Sequence, residues 1–79
     1  MSKENERTDL FILVDTRYRF DHRKLAQRRE ATGLNQSQFA YACGWSSSYQ
    51  WQLENGRVDA VSEATRNVME DVLNATDKI

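Results

Sequence analysis

The spacing of apolar positions changes character along the chain. Over residues 10–20, Leu10, Ile12, Val14, Thr16, Tyr18 and Phe20 alternate with Phe11, Leu13, Asp15, Arg17 and Arg19. A period of two in β-branched and aromatic residues predicts a strand. Its first half is apolar on both faces, its second half on one. A lone strand leaves its N–H and C=O groups unpaired. It therefore either folds back near Val14-Asp15-Thr16-Arg17 or pairs with a symmetry mate. That tetrapeptide contains neither Gly nor Asn, a poor hairpin signal, so the reading favours pairing between two chains through Leu10, Ile12 and Val14.

From residue 22 the period lengthens to that of helices. Asp21 is a good N-cap for a helix over His22–Thr32, which Gly33 ends as glycine does at a left-handed C′ position. Asn35 caps a second helix whose apolar positions are Phe39, Ala40 and Cys43, and Gly44 supplies a tight turn. Ser46 caps a third helix running to about Asn55, and Asn55-Gly56 stops it. Ser62 caps a last helix, with Val61, Ala64, Val68, Met69, Val72 and Leu73 following an i, i+3, i+4, i+7 stripe. No internal repeat or low-complexity tract interrupts the pattern. The expected organisation is a flexible N-terminus at 1–8, the strand at 9–21, a helical domain at 22–75 and a flexible end at 76–79.

At 79 residues the chain has room for one domain with a modest core, the size at which dimerisation often adds stability. It lacks proline and has three glycines, which favours helix. No apolar run approaches the roughly 18 residues of a membrane span, and the start Met1-Ser2-Lys3-Glu4-Asn5-Glu6-Arg7 is too charged for a signal peptide. The single Cys43 fits a reducing cytoplasm. A net charge of −1 argues weakly against nucleic-acid binding, but the distribution matters more. Arg17, Arg19, Arg23, Lys24, Arg28 and Arg29 gather before the second helix, with Asp21 among them. After Arg57 the acids Asp59, Glu63, Glu70, Asp71 and Asp77 outnumber Arg66 and Lys78. Such polarity suits a basic surface that meets phosphates and an acidic one that faces away. Two ordinary solvated helix faces are the plainer account of the same charges.

Two short helices about Gly44, with polar residues where such a unit meets a phosphate, lay out a helix-turn-helix. Leu25, Arg29, Gly33, Leu34, Asn35, Gln36, Phe39, Ala40, Gly44, Trp45, Ser46, Leu53, Glu54, Gly56 and Arg57 match, without a gap, the pattern of the Cro/phage-repressor-like (XRE) helix-turn-helix family. The resemblance spans about residues 22–73 and leaves the strand outside it. It implies a mainly α fold: a compact four-helix, lambda-repressor-like helix-turn-helix domain, here with an added N-terminal β-strand. It also assigns roles. Ser47, Ser48, Trp51 and Gln52 stand at base-reading positions. Asn35, Gln36, Ser46, Tyr49, Asn55 and Arg57 stand at or beside phosphate-contacting ones. Arg29 and Glu54 stand where the family joins its first and third helices by a partly buried ion pair.

Elementary chemistry agrees with several of these. Gln36 lies at a helix start, where free N–H groups and the dipole favour an anion. Serines read donors or acceptors, and Gln pairs bidentately with adenine. Trp51 either rests on a thymine methyl or sugar, or packs against a dimer partner or neighbouring helix. Gln50 departs from the pattern, because an apolar residue belongs there and a buried amide needs partners. Either the third helix rotates so that Trp51 or Tyr49 fills the gap, or Gln50 reaches a backbone group or the surface.

No nucleophile motif frames Ser46-Ser47-Ser48 or His22, one Cys and one His make no zinc site of known spacing, and there is no phosphate-binding glycine loop. No enzyme activity, metal or cofactor is expected. The reading is a sequence-specific double-stranded DNA-binding regulator, a dimeric repressor on a palindromic operator, cytoplasmic and associated with the nucleoid. The alternative is an antitoxin or adaptor that binds a partner protein through the same domain and autoregulates its operon.

Overall fold

The computed structural model describes residues 10–77, with the backbone alone at 76 and 77. The elements run β1 (Phe11–Val14), β2 (Arg17–Phe20), α1 (His22–Ala31), α2 (Gln36–Cys43), α3 (Ser47–Glu54), β3 (Ala60–Val61) and α4 (Glu63–Asp77). The expected loose start at 1–8 lies outside the described residues, as do 78 and 79 of the loose end expected at 76–79, whereas 76 and 77 continue the last helix.

The single strand expected at 10–20 is instead two strands. Phe11 pairs with Phe20 and Val14 with Arg17, so the chain folds back on itself through Asp15-Thr16. Asp15 makes the turn with a φ of +62°. Aspartate tolerates the left-handed region better than most residues, so it does here what glycine or asparagine does in commoner hairpins. The pairing favoured between two chains is thus made first within one chain. A third strand, β3, pairs antiparallel with β2 through Tyr18–Val61 and Arg19–Ala60, and the guanidinium of Arg17 donates to the Ala60 carbonyl at 2.9 Å. The sheet order β1-β2-β3 leaves β1 on an edge.

One sheet face carries Phe11, Phe20, Tyr18 and Val61 toward the core, with the two phenylalanine rings 5.8 Å apart. The core gathers Leu10, Phe11, Leu25, Phe39, Leu53, Val61, Met69 and Leu73. Leu10 is therefore part of this chain's interior and not of a dimer arm. In α4, Met69 and Leu73 are buried and Val68 and Val72 half-buried, but Ala64 faces solvent. The stripe foreseen from Val61 fails there because Val61 belongs to β3, one residue before the Ser62 hydroxyl that accepts the Thr65 N–H.

Candidate nucleic-acid interface

Caps set the ends of the three helices that carry the site. Asp21 accepts the N–H groups of Arg23 and Lys24. Asn35 accepts that of Gln38, whose side chain in turn accepts the Asn35 N–H, a reciprocal capping box. Ser46 accepts the N–H of Tyr49. Gly44 then turns the chain from α2 toward α3 with a φ of +92°, a conformation that costs residues bearing a Cβ.

These caps aim α3. Gln50, Leu53 and Glu54 are buried, whereas Ser47, Ser48, Trp51 and Gln52 are exposed. The four expected base readers therefore share one open face. Gln50 settles inward by neither route the sequence allowed. The helix is not rotated and the amide does not seek backbone or surface. Its Oε1 accepts the Trp45 indole N–H at 2.9 Å and its Nε2 donates to Glu54 Oε2 at 2.7 Å. Trp51 is 44% exposed, and the Arg57 guanidinium lies 5.6 Å from its ring centroid, within cation–π range.

Arg29 and Glu54 form the buried pair expected of them, with Nε–Oε2 at 2.7 Å and Nη2–Oε1 at 3.1 Å. Arg29 Nη1 also donates to the Leu34 carbonyl at 2.8 Å, tying α1 to the loop that starts the motif. The amide of Gln36 donates to Glu54 Oε1 at 3.0 Å. Burial opposes ionisation of Glu54, yet the donors Arg29, Gln36 and Gln50, with the charge of Arg29, hold its carboxyl below the ordinary carboxylate value. Gln36 is thereby fixed at the start of α2 with one amide N–H bound and the other available.

The remaining candidates are less uniform. Asn35 and Ser46 are exposed, each with a side-chain oxygen engaged in its cap. Asn55 is exposed and donates from Nδ2 to the Trp51 carbonyl at 2.8 Å. Tyr49 turns away from the open face: it is half-buried, its ring edge-on to Trp45 with centroids 5.4 Å apart. Arg29, counted with the basic cluster, is spent inside the ion pair. Burial pushes the Cys43 thiol up to about 12, which suits a packing residue and not a nucleophile. Sequence reasoning missed the Gln38 arm of the capping box, although Asn-x-x-Gln before an apolar pair is its signature. It also missed His22 against Gly56: a Cβ at Gly56 would meet His22 Cε1 at 3.3 Å.

Two helices held about a left-handed glycine, the second with one face buried and the other open and polar, define a domain of the DNA-binding helix-turn-helix class. A helix-turn-helix domain family model matches residues 23–78, and the chain belongs to that family. No curated protein and no solved structure matches the chain. The hairpin precedes the matched region. Among the described residues no helix is long and apolar enough to cross a membrane.

Proposed function

We propose that the protein is a sequence-specific regulator of transcription that binds a palindromic operator as a dimer and represses by occupying it. The open face of α3, with Ser47, Ser48, Trp51 and Gln52 exposed around a buried Gln50–Leu53–Glu54 seam, carries the proposal. That face enters the major groove and reads base edges. Gln36, Arg57 and Asn55, with the capped helix starts at Asn35 and Ser46, hold the phosphates and set register without reading sequence. Tyr49 contributes by buttressing Trp45. Two such helices related by a two-fold would enter successive major grooves about 34 Å apart.

Selection of bound duplexes from random DNA tests the reading and returns the half-site spacing. No enrichment for any sequence overturns it. With a site in hand, Gln52→Ala should cost about 1–3 kcal/mol of discrimination at one base pair. Gln36→Ala should weaken every sequence alike. Identical profiles for the two variants would refute the division of labour.

The exposed apolar edge of β1 favours a second reading of the partner alone. Ile12, Leu13 and Val14 are 59%, 58% and 47% exposed, and a free edge accepts a strand from another chain. In the leading proposal that strand is β1 of a second copy; in an antitoxin or adaptor it belongs to a different protein. Size exclusion with light scattering separates the two, since only the first yields a dimer of the pure chain.

A further inference from the structure

We propose that Arg19 and Lys24 form a second phosphate-binding edge beside Arg57, so that the sheet and the start of α1 extend the DNA footprint beyond the helix-turn-helix. This rests on the DNA-binding reading above. β2 passes into α1 through Asp21 alone, and the first residue of α1, His22, lies against Gly56. The junction of sheet and helix therefore flanks the segment that ends at Arg57. A cleft opens there, lined on its polar side by Arg19, Asp21, His22, Lys24 and Asp59 and on its apolar side by residues of the hairpin.

Three of the other cations have structural work. Arg29 is held by Glu54, Arg66 by Glu70 and the Tyr18 ring, and Arg17 by the Ala60 carbonyl. Arg19 and Lys24 are exposed, and among the described residues neither forms an ion pair within 4.0 Å. Asp21 is close enough to interact with the Lys24 charge, but its carboxylate is turned to the N–H groups it caps. Asp59 is the one opposing charge that faces the cleft without such a task. Two cations without an ion pair, at a junction that lies against Gly56 and so flanks the segment ending at Arg57, suit a phosphodiester backbone that continues past the bases met by α3.

The test measures binding of the full chain to a mixed-sequence duplex of about 30 base pairs, long enough for two half-sites, over a range of salt. Each phosphate that the protein no longer neutralises flattens the plot of log affinity against log salt by about 0.9. Arg19→Gln with Lys24→Gln should lower the slope by nearly two such steps, while Arg19→Lys with Lys24→Arg keeps it. Asp59→Asn, which removes the opposing charge, should tighten binding. An unchanged slope in the double glutamine variant, with wild-type binding intact and an unaltered circular-dichroism melt, overturns the inference and spares the DNA-binding reading. A wild-type protein that binds no DNA overturns both. A slope that falls as far in the charge-conserving variant also overturns it, because the effect would then follow shape and not charge.

Discussion

The carboxylate of Glu54 offers about four lone-pair positions, and four donors meet it: two from Arg29, one from Gln36 and one from Gln50. Glu54→Ala would strand the buried Arg29 guanidinium, and we expect a loss of about 3–5 kcal/mol in urea unfolding. Arg29→Met with Glu54→Met should recover only part of that loss, because an apolar pair leaves no charge uncompensated but the buried Gln50 amide loses its acceptor. The same donors make stability depend on pH. The folded carboxyl titrates below its ordinary 4.5, so its stabilising effect is complete above that value. It is lost as pH falls through the lower, folded value. Urea midpoints measured downward from neutral pH should fall in that acid range, and Glu54→Gln should remove part of the fall. The ion pair was legible from the resemblance and the caps from residue type. Gln50 was not, because an amide at a core position reads as a conflict until the Trp45 indole and Glu54 are known to stand at its two ends.

Among the elements, α1, α2 and α3 were legible nearly to the residue, since Asp21, Asn35 and Ser46 begin them and Gly33, Gly44 and Asn55 mark their ends. The hairpin was hidden by its turn. Alternation over 10–20 runs unbroken through Asp15-Thr16, and nothing in it announces that the backbone reverses. β3 has two residues, too few to show a period. If the reversal depends on the positive φ at Asp15, Asp15→Gly or Asp15→Asn should be neutral or stabilising in thermal melts. Asp15→Val, β-branched at a left-handed position, should cost about 1–2 kcal/mol or more. Equal melting temperatures for the three variants would show that the turn does not need that conformation.

For the molecule as a whole, the edge of β1 is the exposed feature that the helix-turn-helix leaves unexplained. Natural sheets blunt such edges with charge, proline or bulges, and β1 carries none over Phe11–Val14. Light scattering at micromolar concentration should therefore report a dimer. Ile12→Lys with Val14→Lys should return it to monomer, and the melting temperature should then no longer rise with protein concentration. A wild-type monomer under those conditions would count against β1 as the link between two recognition helices. The same chain also carries two fluorophores in different surroundings. The indole N–H of Trp45 is bound to Gln50 and its ring is wedged against Tyr49, whereas Trp51 lies open beneath Arg57. With only two tryptophans in the sequence, emission divides into a shielded component that follows unfolding and an exposed one that follows docking. Acrylamide should quench the second more than the half-buried first, and added duplex should protect the second without shifting the Trp45 signal. The protein thus holds an internal reference and a probe for its own titration with DNA, and no dye need be attached to the surface proposed to read it.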